Sequence, residues 1–196
     1  MLSTNVTSTN VTSTNVTSTN VTSTNASQTP SAPTPRIIYR EGFARDAADQ
    51  AEVFYHAVMQ GAASHYGVDE RRAWANALPR EASAWAARQT LYTTLVASCD
   101  GRCVGFLELD VAAKRIETLY VWPSLTGRGI GTTLLIHAER MLLEQGVSSV
   151  EIEASLVLYE RLIRRGFSNL GEQWVERSGE LLKRYRLVKK LNAVET

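Results

Sequence analysis

No charged residue precedes Arg36, and the first 35 residues contain nothing that could build a core. Residues 3–27 repeat Ser-Thr-Asn-Val-Thr four times and end on Ser23-Thr24-Asn25-Ala26-Ser27. Gln28–Pro35 continues as a Pro/Ser/Thr-rich linker. This predicts a disordered tail over 1–35 ahead of a folded domain over 36–196. The array holds Asn-x-Ser/Thr sequons at Asn5, Asn10, Asn15, Asn20 and Asn25. The basic segment and apolar stretch of a secretory signal are both missing, so an expanded coding repeat is expected rather than a glycosylated arm, and a cytoplasmic location.

Other scarcities narrow the field further. No apolar run reaches membrane-spanning length, so no membrane partner is expected. The formal net charge of +1 gives no global pull toward nucleic acid. The short basic run Lys183, Arg184, Arg186, Lys189 and Lys190 alternates with Leu and Val and reads as a solvated strand face. The two cysteines, Cys99 and Cys103, flank the hairpin dipeptide Asp100-Gly101 and could face each other across that turn. No histidine lies near them in sequence, so two ordinary thiols and no metal are expected.

What is present centres on one run. Leu119-Tyr120-Val121 reads as a strand, Pro123 marks a turn, and Thr126-Gly127-Arg128-Gly129-Ile130-Gly131-Thr132 is a glycine-rich loop that opens a helix. Ile130, Leu134, Leu135, Ala138, Met141 and Leu142 form that helix's apolar stripe, and Gly146 closes it. Backbone N–H groups at such a helix start suit a phosphate or pyrophosphate. A triphosphatase loop needs Lys-Ser/Thr after its last glycine, and Thr132-Thr133 stands there instead. A dinucleotide fingerprint needs Gly or Ala at 132 and an early strand, and this loop has neither.

Around this loop the elements read as mixed α/β. Strands are predicted over 36–40, 91–98, 102–109, 115–122, 148–154, 174–177 and 181–188. Helices are predicted over 47–63, 70–78, 81–88, 130–145 and 156–165.

Here the chain resembles the GNAT superfamily, the GCN5-related N-acetyltransferases. That family's loop, Gln/Arg-x-x-Gly-x-Gly/Ala, is matched by Thr126 to Gly131, with Thr126 departing at the first position. A second block, Val150 to Ser155 followed by a short helix and Gly166-Phe167, agrees in order and separation. His56 to Trp74 is also similar to a stretch in a bacterial branch of the family. The resemblance covers roughly residues 36–190. It implies a mostly antiparallel central sheet of about seven strands with helices on both faces, in which strands four and five splay apart to admit coenzyme A.

The resemblance further implies acetyl transfer from acetyl-CoA, as co-substrate, to a primary amine of a small molecule, peptide or protein, with no metal, and it allows a homodimer. Leu119 and Val121 would hold the pantetheine arm through their backbones, and the amides of Gly127, Arg128, Gly129, Ile130, Gly131 and Thr132 the pyrophosphate. Ser155 would contact the pantetheine arm or cap the following helix, and Arg164 would meet CoA phosphates or solvent. The family's proton-donating tyrosine position holds Leu162. Tyr159, one helical turn earlier, is the candidate substitute, or else simply packs the helix. Strand alternation would put Glu117 on one face with Leu119 and Val121, making it the candidate base. His56, Tyr66 and Trp74 are the candidates for the acceptor pocket. The departures at Leu162 and Thr126 keep open an alternative, an acetyl-CoA-binding regulatory module without catalysis.

Overall fold

The Asp100-Gly101 turn starts the sheet. Both residues take positive φ, 49° and 80°, the backbone that a two-residue hairpin requires. They join β2 (Thr93–Cys99) to β3 (Arg102–Asp110) in the computed structural model, which describes residues 36–192. The repeat array and linker expected to be disordered lie outside the described residues. β1 (Ile37–Glu41) pairs with β2, and β4 (Arg115–Val121) with β3. β5 (Ser149–Ser155), β6 (Ser168–Arg177) and β7 (Glu180–Lys190) complete one seven-stranded sheet of order β1-β2-β3-β4-β5-β7-β6.

Only β4 and β5 run parallel. Their pairing is confined to Arg115 opposite Glu151 and Ile116 opposite Ile152. Beyond Ile116 no ladder joins them, so the middle of the sheet is open toward the C-terminal ends of both strands. That is where a ligand can enter an α/β sheet.

Helices cover both faces. α4 (Ile130–Glu144) packs Leu134, Leu135, Ala138 and Leu142 onto Leu107, Leu109, Ile116 and Leu119. On the other face lie α1 (Ala47–His56) and α3 (Ala82–Leu91), where Phe54 and Trp85 pack against Val96 and Phe106. The Trp85 indole is fully buried, and its N–H donates to the Pro79 carbonyl at 2.8 Å, so no polar atom is orphaned. α1 continues into a π turn over Ala57–Gly61 before α2 (Val68–Ala75). The Arg71 guanidinium ties this bend together by donating to the carbonyls of Met59, Tyr66 and Gly67. α5 (Leu156–Ile163) follows β5 directly.

Three expectations are corrected. β6 begins at Ser168, six residues before the predicted start. It is an exposed edge strand, so its first half carries no apolar alternation, and Gly171 at φ 138° interrupts its register. The cysteines do not oppose each other: the two-residue turn itself sets Cys99 opposite Arg102 and Cys103 opposite Ser98. Cys103 is buried, and that burial pushes its thiol up to about 12. The alternation assumed for β4 also fails. Thr118 pairs with Glu108 and Ile116 with Leu109, which leaves Glu117 as an extra residue with no partner across the ladder. The bulge lets Ile116 and Leu119, three residues apart, pack into the same α4-side core.

Candidate active site

Val121 leads into a single 3₁₀ turn, Pro123–Leu125, and then the glycine loop. Gly127 and Gly129 take φ 80° and 82°, a region L-residues enter only with strain. A Cβ at either position would meet nothing within 4 Å, so the loop's outer surface is open. Gly129 is the N-cap of α4, and the first intrahelical bond runs from Thr133 N–H to its carbonyl at 2.9 Å. The amides of Ile130, Gly131 and Thr132 therefore precede the helix ladder and keep their donors for a ligand.

A groove of about 470 Å³ lies over this loop. Leu119 and Val121 form one wall, with Gly127, Gly129, Ile130, Gly131 and Thr132 at its end. Leu162 and the basic side chains Arg161, Arg164 and Arg165 stand on the α5 side. Of the loop residues named from sequence, Arg128 alone does not line it.

A second cavity, of about 460 Å³, opens on the α1–α3 face. β4 gives it Glu117, Thr118 and Tyr120, β5 gives Glu153 and Ser155, and α2 gives Trp74. Trp74 and Tyr120 line both spaces and form the partition between them. Because of the bulge, Glu117 faces this cavity while Leu119 and Val121 face the groove.

Tyr66 joins the two regions. Its hydroxyl donates to the Lys183 carbonyl at 2.7 Å and accepts the Leu156 amide at 2.9 Å. It thereby caps the first turn of α5, while the Ser155 side chain makes no cap bond and lines the second cavity. Burial raises the Tyr66 phenol, and it raises Tyr120 much further. Both phenols are neutral donors near neutral pH.

Two residues named from sequence stand elsewhere. Tyr159 packs on Tyr185 with ring centroids 4.2 Å apart and its hydroxyl accepts from Asn169, and it lines neither space. His56 stacks on Trp122 at 4.8 Å, hydrogen-bonds Gln60, and also lines neither.

A polar network at the second cavity lies outside every residue named from sequence. Glu108 is fully buried in β3 and accepts from Arg88 at 2.9, 3.1 and 2.6 Å, and from the Thr118 hydroxyl at 2.9 Å. A signal was available: Glu108 is a lone acid between Leu107 and Leu109 in an apolar strand, which demands a cationic partner. Other ion pairs ring the cavity: Arg115–Glu117 at 2.5 Å, Arg184–Glu153 at 2.7 Å and Lys183–Glu172 at 2.6 Å. Among the described residues no cluster of His, Cys, Asp and Glu could hold a metal ion, and no helix is long and apolar enough to cross a membrane.

Residues 55–165 match the family described as the acetyltransferase (GNAT) family. The chain belongs to that family. It is similar to the crystal structure of a GCN5-related N-acetyltransferase from Rhodopseudomonas palustris, at 32% identity and a TM-score of 0.73, over 81% of this chain and 96% of that one. A PaiA N-acetyltransferase from Thermoplasma acidophilum, solved in complex with coenzyme A, shares the GNAT fold at 21% identity and a TM-score of 0.64, over 79% of this chain and 99% of that one. Among curated relatives, an L-2,4-diaminobutyric acid acetyltransferase of Nocardia farcinica is 32% identical over 92 residues, 41% of this chain and 48% of that protein. The chain thus spans about half the length of that curated relative.

Proposed function

We propose that this GNAT protein transfers an acetyl group from acetyl-CoA to a primary amine of a small molecule. The observation that carries this is the partition. A groove suited to a long phosphorylated ligand and a polar, open cavity meet at Trp74 and Tyr120, beyond the point where β4 and β5 cease to pair. The coenzyme A complex of the Thermoplasma relative and the amino-acid substrate in the Nocardia relative's name support the two ligands. The cytoplasm and a homodimer belong to the same reading, and cell fractionation and light scattering test them.

In this reading the loop amides from Gly127 to Thr132 hold the pyrophosphate, with Arg161, Arg164 and Arg165 toward the remaining phosphates. The edge of β4 at Leu119 and Val121 aligns the pantetheine and lets the thioester carbonyl meet a backbone donor. The acceptor reaches the thioester through the second cavity. A free amine of pKa ~10.4 is mostly protonated, so one proton must leave before attack, and Glu117 receives it directly or through water. The C–N bond then forms and the C–S bond breaks. The nitrogen sheds its second proton to solvent as the amide forms, and the departing coenzyme A thiolate takes one up from solvent. A thiol of pKa ~8.5 is a competent leaving group without an acid, which suits Leu162 at the groove and Tyr159 outside it.

Those same two placements favour the second reading, a regulatory acetyl-CoA-binding module. Thiol release with a panel of primary amines separates the two. Amine-dependent release that falls in Glu117→Gln supports transfer. Tight acetyl-CoA binding without release by any amine supports the module.

A further inference from the structure

The second cavity is more basic than a site for a plain amine requires. Its lining includes Arg88, Arg177, Lys183 and Arg184 against two carboxylates, Glu117 and Glu153. Both carboxylates are engaged, by Arg115 and Arg184, and Lys183 is engaged by Glu172. The hydrogen bond found for the Arg177 side chain goes to the Glu176 backbone carbonyl, not to a carboxylate. Five cations, counting Arg115, face four carboxylates, counting Glu108 and Glu172. A polyamine carrying several positive charges meets the wrong field here.

Arg88 stands apart because it is already fixed. Its Nε and Nη2 edge is bound by Glu108, which is fully buried and also held by Thr118. Its guanidinium carbon lies 5.7 Å from the Trp85 ring centre and 5.1 Å from that of Tyr92. Nη1 has no hydrogen-bond partner among the described residues and is not among the buried orphans, so it keeps solvent access on a side chain that lines the cavity. A guanidinium locked on one edge loses little freedom when its other end takes up a planar anion.

We propose that the acceptor is an amine that also carries a carboxylate, an amino acid or close analogue, and that the open end of Arg88 anchors that carboxylate. The ammonium end then lies toward Glu117, and Arg177 adds positive potential at the rim. This rests on the acetyltransferase reading for the role of the cavity, but its test does not depend on turnover.

The full-length protein is saturated with coenzyme A and titrated calorimetrically with matched pairs that differ only by the carboxylate: L-2,4-diaminobutyrate against 1,3-diaminopropane, and L-ornithine against putrescine. Within at least one pair the amino acid binds about tenfold tighter or more. Equal or tighter binding of both diamines overturns the proposal. In the double variant Arg88→Gln with Glu108→Gln, which leaves no buried charge unpaired, the contrast falls to near one. A contrast that survives in a folded double variant overturns the role of Arg88. If that variant does not fold, Arg88→Lys, which keeps the charge and loses the fork, serves instead: a contrast cut several-fold supports the proposal and an unchanged one overturns it. Tighter amino-acid binding with no thiol release from acetyl-CoA overturns the acetyltransferase reading and leaves the anchor standing.

Discussion

The rings of Trp74 and Tyr120 lie 6.3 Å apart, centre to centre, and each borders both the groove over the glycine loop and the cavity behind it. One residue comes from α2 and the other from β4, so the two spaces are kept distinct by elements far apart in sequence. In an acyl transfer this arrangement brings the amine to the thioester while limiting the entry of water.

Trp74→Ala removes half of that partition. The KM for the amine rises about tenfold or more, and acetyl-CoA hydrolysis without acceptor becomes measurable by thiol release. Such truncations of packed tryptophan cost about 3–5 kcal/mol when burial is complete; Trp74 is only partly buried, so the loss of stability is smaller.

Glu117→Gln keeps size and shape and removes the proton acceptor. The kcat/KM falls by about 10²-fold or more, the range of general base catalysis. Acetyl-CoA affinity, measured by calorimetry, stays close to wild type, because Glu117 lines the second cavity and not the groove.

Tyr66→Phe deletes a hydroxyl that serves both the Leu156 amide and the Lys183 carbonyl. Two partly buried backbone groups lose their partner, at a cost of about 1–3 kcal/mol. For a chain of this size each kcal/mol lowers the melting temperature by about 2–4 °C. Because α5 borders the groove, acetyl-CoA affinity falls with stability, whereas a purely local loss would lower stability alone.

Asp46 sets an acid limit. Its carboxylate is almost fully buried, and burial alone would raise its pKa, but hydrogen bonds from the Arg40 guanidinium at 2.7 and 2.8 Å and from the Phe43 amide hold it below the usual carboxylate range. The lowered group contributes stability that is fully present above the ordinary carboxylate pKa and is lost as pH falls through the depressed value. Asp46→Asn is accordingly less stable than wild type at neutral pH, and the gap narrows on acidification. Denaturant melts at pH 7 and in the acid range check the direction; a gap that widens in acid contradicts the assignment.

The glycine loop was legible in the sequence because a turn, a left-handed backbone and a helix start each demand particular residues locally. The hairpin at Asp100-Gly101 and the α4 stripe were legible for the same reason. The bulge at Glu117 was not, since nothing in Ile116-Glu117-Thr118 marks an extra residue, and only the partner strand reveals it. Pairing Arg88 with Glu108 required knowing that α3 packs over β3, a contact between elements that periodicity cannot rank. β6 escaped because an exposed edge strand shows little apolar pattern. His56 and Tyr159 carry suitable chemistry, but packing decides their place: each packs on a neighbouring aromatic ring and lines neither space.

Calorimetric titration of acetyl-CoA into the wild-type protein and a Gly129→Glu variant tests the central claim most directly. A glutamate there strains a left-handed position and sets a negative side chain over the proposed pyrophosphate amides. The account predicts one acetyl-CoA bound per wild-type chain and none by a variant that remains folded. No binding by the wild type, or equal binding by both, would contradict it.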